Sequence, residues 1–98
     1  MQITKIKETA ESLCREFAVK RLDVFGSTAR GTATEFSDID LLVEFIDPHY
    51  FPAKRFFGLL HNLEDTLKCG IDLYTFRSLR NPYFRMRVLK ERVQIYEG

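Results

Sequence analysis

The feature that most constrains this chain is a pair of one-sided helices set among short apolar strands. Ile3, Ile6, Ala10, Leu13 and Phe17 follow one another at spacings of 3, 4, 3 and 4. Those spacings put all five on one stripe of an α-helix, with Lys5, Lys7, Glu8, Glu11 and Arg15 on the rest of its surface. Phe56, Leu60, Leu63 and Leu67 repeat the pattern at 4, 3 and 4, with Leu59 adjacent, which predicts a second helix over 53–68. Cys69-Gly70 closes it, glycine being common just past a helix end. Each stripe needs an apolar surface to cover it, and three segments can supply one. Arg21 to Phe25 reads as a strand halted by Gly26, Ile39 to Phe45 as a second ended by Asp47-Pro48, and Ile71 to Thr75 as a third. Asn81-Pro82 opens a further helix running to about Arg92, with Pro in the first turn, where its missing N–H costs nothing. Val93 to Tyr96 adds a short edge strand. With one helical turn at Ser27–Arg30, the order is α-β-α-β-α-β-α-β. The expected class is α/β (α+β), a small mixed β-sheet flanked by helices.

Size and composition narrow the class further. At 98 residues the chain is expected to form a single domain over 1–98, large enough to hold a core without disulfides or metal. Hydrophobic residues at 45% and charged residues at 30% exclude wholesale disorder. No apolar run exceeds three residues, Leu41-Leu42-Val43 being an example, so no transmembrane span is expected. The opening MQITKIKETAESL has no apolar signal core. Cys14 and Cys69 are too few and too scattered for a disulfide scaffold or a zinc site. The expected compartment is the cytoplasm. The net charge of +1 argues against a dedicated nucleic-acid binder, so no direct nucleic-acid binding is expected. It hides an asymmetry: residues 1–76 carry 9 Lys/Arg against 12 Asp/Glu, and residues 77–98 carry 6 against 2.

The chemistry is concentrated in Gly26–Val43, GSTARGTATEFSDIDLLV. Asp38 and Asp40 stand two apart at the start of a strand, where alternation points both to one face. Two such carboxylates disfavour joint ionisation unless a cation lies between them. Mg²⁺ suits an all-oxygen site, because it keeps several waters for substrate phosphates. Asp72 lies between Ile71 and Leu73 on the third strand. If that strand neighbours 39–45 in register, Asp72 joins the pair, and three carboxylates can serve a two-metal phosphoryl-transfer site. Gly26 follows a strand and Ser27 opens the short turn of helix. That arrangement lets N–H groups and a hydroxyl approach an anion. Arg30 is placed to add charge-assisted bonds to phosphate, or to pair with Glu35. No Walker A loop and no GxGxxG motif occurs, so neither a P-loop NTPase nor a Rossmann dehydrogenase is supported.

Gly26-Ser27, ten residues, then Asp38-Ile39-Asp40 resembles the GS-x10-DxD signature of the DNA polymerase β-like nucleotidyltransferases. The wider GSTARG…SDIDLLV, the Ile71-Asp72-Leu73 strand and the ending from Arg87 to Tyr96 are similar to the smallest branch, the minimal nucleotidyltransferases (MNT). These serve as antitoxins beside HEPN-domain toxins. The resemblance covers most of the chain from residue 20 onward. It implies that Gly26 and Ser27 hold the β/γ-phosphates of ATP, that Asp38 and Asp40 bind Mg²⁺, with two ions expected, and that Asp72 completes the site and helps deprotonate the acceptor. It also implies a HEPN-domain toxin partner, a hetero-oligomer, and transfer of AMP from ATP to a tyrosine that silences an RNase. No departure from the motif predicts a dead enzyme. No C-terminal substrate-binding domain is recognisable in the sequence, so the acceptor is expected from elsewhere.

Plainer readings stand beside these. Asp38 and Asp40 could be a solvated strand end or a helix cap, Asp72 an exposed strand residue, and Gly26-Ser27 an ordinary turn. Glu44 shares the face of Asp38 and Asp40 but reads as an edge residue. His49 and His61 lack ligand partners, and both cysteines read as packing residues. Phe51, Phe56 and Phe57 read as core; exposure of any would point to a protein interface. Arg77, Arg80, Arg85, Arg87, Lys90 and Arg92 form a solvated face, a docking face or a phosphate contact. Two functional alternatives remain: a non-catalytic antitoxin acting by stoichiometric binding, and a transferase acting on a small hydroxyl compound.

Overall fold

A computed structural model describes residues 1–98. Four helices, four strands and one 3₁₀ turn follow in the order α1 (Ile3–Glu16), β1 (Val19–Phe25), α2 (Gly26–Arg30), β2 (Ile39–Phe45), α3 (Pro52–Leu67), β3 (Ile71–Tyr74), the 3₁₀ turn (Phe76–Ser78), α4 (Pro82–Glu91) and β4 (Val93–Glu97). The strands form one sheet in the order β3-β2-β1-β4. β1 runs antiparallel to β2 and β4, and β2 runs parallel to β3. The sheet is therefore mixed, as the sequence predicts.

Alternation along the central strands builds two unequal cores. Leu22 and Val24 on β1, with Ile39, Leu41 and Val43 on β2, face α1 and α3 and are all but closed to water. Ile6, Ala10 and Cys14 come down from α1 and Leu59, Leu63 and Leu67 from α3. Burial of each large aliphatic side chain here stabilises by about 1.5–3 kcal/mol. The opposite face holds a smaller cluster, Phe25, Leu42, Leu79 and Val88, roofed by the 3₁₀ turn and α4. That roof is partial, and the uncovered end of this face carries the carboxylates.

The inward line of α3 is Arg55, Leu59, Leu63 and Leu67, one residue out of phase with the expected Phe56–Leu60 start. Arg55 is only 7% exposed. Its guanidinium lies 4.9 Å from the Phe45 ring and donates to the Ile46 and Asp47 carbonyls, holding the β2–α3 loop. With Arg55 inside, Phe57 turns outward at 53% exposure, and Phe51, in left-handed backbone before Pro52, is 59% exposed. The expected three-phenylalanine core is thus reduced to a half-buried Phe56.

Candidate active site

Strand register assembles the site. Phe25, the last residue of β1, pairs with Asp40 on β2, so the chain enters the Gly26-Ser27 turn beside that carboxylate. On the other side Asp40 pairs with Asp72 in the parallel ladder, with Ile39 opposite Ile71. Asp72 thereby joins Asp40 on one face, as expected from the two-residue alternation. Asp38 continues the same row beside Gly70, whose carbonyl accepts the Ile39 N–H at 2.9 Å.

Two glycines make room for two of the carboxylates. A Cβ on Gly26 would sit 2.3 Å from Asp40 Oδ2, and one on Gly70 would sit 2.2 Å from Asp38 Oδ1. Gly26 is doubly constrained, because its φ of +70° is left-handed. Gly31, at φ +76°, ends α2 in the same region and releases the chain toward Asp38.

The electrostatics mark Asp40 as the strained member. Its carboxyl is pushed up to about 6, first by burial, then by the charge of Asp72 and a hydrogen bond between the two carboxyl groups, then by Asp38; Arg30 acts in the opposite direction. This is the like-charge situation that favours a proton or a cation between two carboxylates. The donor set is all carboxylate oxygen, which fits a hard ion such as Mg²⁺. The three aspartates do not converge on one point, and no group of three acidic, His or Cys side chains lies close enough to hold a metal ion as arranged. Asp40 and Asp72 come together, while Asp38 leans over Gly70.

Arg30 is paired neither with Glu35 nor with a carboxylate of the row. Its Nη1 donates to both oxygens of Glu91 at 3.1 Å, and Gly26 N–H donates to Glu91 Oε1 at 3.0 Å. Glu44 meets Lys20 at 3.8 Å on the exposed surface and belongs to no site. Asp23, 1% exposed, receives Arg21 Nε at 3.0 Å and Arg92 Nη1 at 3.4 Å, which accounts for one of the basic C-terminal residues. Arg85 and Arg92 also lie within 6 Å of the Phe76 ring.

Three residues near the row are not singled out by the sequence motif. Tyr74, two past Asp72, packs against Phe25 at 5.5 Å and Phe84 at 5.8 Å, walling one side of the site. Its phenol is pushed up by burial and by Asp72 and Asp40. Strand alternation from Asp72 is a signal that could have found Tyr74. Phe84 and Glu91 arrive from α4, and nothing local to the motif points to them.

The site is thus a partly roofed sheet face on which a Gly-Ser turn abuts paired aspartates. Residues 6–95 match the family model described as Nucleotidyltransferase domain. The chain belongs to that family, among its minimal members. It is 36% identical over 80 residues to "Putative protein adenylyltransferase MJ1379" of Methanocaldococcus jannaschii, spanning 82% of this chain and 80% of the relative. It is 36% identical over 86 residues to "Protein adenylyltransferase MntA" of Thermococcus cleftensis, spanning 87% and 83%. A solved "putative minimal nucleotidyltransferase" superposes with a TM-score of 0.77 at 35% identity, covering 95% of each chain. The complex of a tri-AMPylated Shewanella oneidensis HEPN toxin with MNT antitoxin shares the fold at a TM-score of 0.68 and 19% identity, over 99% of this chain and 74% of that one.

Proposed function

We propose that this chain is an antitoxin that transfers AMP from ATP to a tyrosine hydroxyl of a HEPN-type RNase toxin. The observation that carries the chemistry is the register that sets Asp40 against both Asp72 and the Gly26 turn. The adenylyltransferase names of the two relatives, and the AMPylated HEPN toxin bound to a protein of the same fold, support the acceptor class.

Asp38, Asp40 and Asp72 would hold Mg²⁺ once their side chains close from the present arrangement onto one point, and the ion when bound supplies charge neutralisation at the phosphates. Gly26 and Ser27 hold the β/γ-phosphates, Ser27 through its hydroxyl and Gly26 by carrying the turn in against Asp40, where a Cβ would collide with that carboxylate. Asp72, the exposed member of the coupled pair, takes the proton from the tyrosine hydroxyl. The hydroxyl oxygen attacks the α-phosphorus in line, a new P–O bond forms, the bond to the α–β bridging oxygen breaks, and pyrophosphate leaves. Positioning and charge stabilisation supply most of such a rate. Arg30 is engaged by Glu91, so a role on phosphate requires it to exchange that partner. No helix is long and apolar enough to cross a membrane, and the proposed setting is the cytoplasm in a complex with the toxin.

The test is transfer from α-labelled ATP to separately purified HEPN protein, with tandem mass spectrometry to locate the phosphodiester. Label on a toxin tyrosine that requires Mg²⁺ supports the proposal. Silencing of the RNase without label, through a tight complex, would replace it with the stoichiometric antitoxin. Label on a small hydroxyl compound with no protein partner present would replace the acceptor.

A further inference from the structure

Helix α2, Gly26–Arg30, is only five residues long, far below the length at which a helix holds itself. Its N-cap residue is Phe25, whose side chain accepts no capping hydrogen bond. Something outside the helix must hold it, and the carboxylate of Glu91 does so from 65 residues away. Glu91 Oε1 accepts the N–H of Gly26, the first helical residue, at 3.0 Å. Both of its oxygens accept from Arg30, the last helical residue, at 3.1 Å. One side chain, 19% exposed, therefore ties both ends of the turn. Its own position is set by the sheet: β4 starts two residues later, with Val93 paired to Val24, just short of the end of β1.

From these contacts we infer that Glu91 is a positioning residue for nucleotidyl transfer. It fixes the Gly26–Arg30 turn so that Ser27 faces the triphosphate and Gly26 stays seated against Asp40. The link to Asp40 is steric: Gly26 is so close that even a Cβ there would lie 2.3 Å from Asp40 Oδ2, so movement of Gly26 alters the space the carboxylate occupies. The consequence for activity rests on the transferase function proposed above; the brace itself does not. Glu91 touches neither substrate nor the reacting atoms. The opposite role is also chemically coherent: a carboxylate on an N–H and an arginine could block the place a phosphate takes. The two roles differ in sign. Removing a brace weakens nucleotide binding, and removing a blocker strengthens it.

The test uses the full chain with Glu91→Ala, Glu91→Gln and Arg30→Ala. Thermal melts establish that each variant folds. Amide hydrogen exchange over residues 26–31 reads the turn, calorimetry with a non-hydrolysable ATP analogue and Mg²⁺ reads binding, and AMP transfer gives kcat and KM separately. Glu91→Ala is expected to lose protection at Gly26 and Gly31, to bind the analogue about tenfold more weakly, and to lose about tenfold or more in kcat. Glu91→Gln keeps an oxygen for the Gly26 N–H, so it should retain that protection and much of the rate. Arg30→Ala should fall between them, and its effect should shrink in the Glu91→Ala background. Tighter analogue binding by Glu91→Ala, or unchanged exchange over 26–31, would overturn the inference. If the unaltered chain neither binds the analogue nor transfers AMP, the function fails, and the exchange data still decide the brace.

Discussion

Asp40→Asn is expected to stabilise the protein, and to do so only above mildly acidic pH. The Asp40 carboxyl moves from 3.8 to about 6 on folding, driven first by burial and then by Asp72 and Asp38. A raised carboxylate pKa means that the folded state holds the proton more tightly than the unfolded one. Stability is therefore greatest below the unfolded value of 3.8 and falls as pH rises through about 6, the full deficit being present above pH 7. Two units at about 1.4 kcal/mol each set a ceiling near ~3 kcal/mol. Asp40 is only partly shielded from water, and screening reduces the expected figure to about 1 kcal/mol. For a domain of this size that corresponds to roughly 4–8 °C in Tm. Asn keeps the shape and removes the charge. Melts of both proteins from pH 4 to 8 without divalent ions should show the variant ahead at pH 8 and level near pH 4. Adding Mg²⁺ at pH 8 should raise the unaltered protein and narrow the gap. A variant that melts at or below the unaltered protein at pH 8, or a gap that ignores pH, would refute the reasoning.

Three further outcomes follow from the geometry. Gly70→Ala puts a methyl 2.2 Å from Asp38 Oδ1, and because Asp38 is exposed it can swing aside; stability should stay within about 0.5 kcal/mol while transfer falls at least about tenfold, as melts beside AMP-transfer rates would record. Gly26→Ala combines a φ of +70° with a Cβ 2.3 Å from the crowded Asp40, so it should cost about 2 kcal/mol or more by denaturant unfolding and abolish transfer. Cys14 is fully buried and its thiol is pushed up to about 12, so iodoacetamide at pH 8 should modify Cys69 first and reach Cys14 only on unfolding; equal rates in native buffer would contradict the packing of α1.

Much of this fold was legible because its signals are local. β2 occupies Ile39–Phe45, the range its apolar run marks, and Ile6 and Ala10 lie buried where the first stripe puts them, though the buried line continues to Cys14 rather than Leu13. The pairing of Asp40 with Asp72 followed from alternation once β2 and β3 proved adjacent and parallel. The misses come from tertiary effects. β1 begins at Val19 rather than Arg21, after left-handed Ala18 and through an irregular register between Val19 and Arg21, and neither feature has a sequence signature. Arg55 takes the inward position and Phe57 turns out because two carbonyls accept from its Nη atoms and the Phe45 ring lies against it, although its buried Nε finds no partner; spacing cannot reveal this. Glu91 reaches the Gly26 turn across the whole chain, and only the sheet order brings it there. Likewise, a motif lists three aspartates without saying that Asp40 pairs with Asp72 while Asp38 lies against Gly70.

The most direct measurement is the intact mass of a HEPN-domain partner co-expressed with this chain, beside co-expression with the Asp38→Asn/Asp40→Asn variant. The account predicts whole AMP increments on the partner with the unaltered chain and none with the variant. An unmodified partner that binds both forms equally tightly would contradict it.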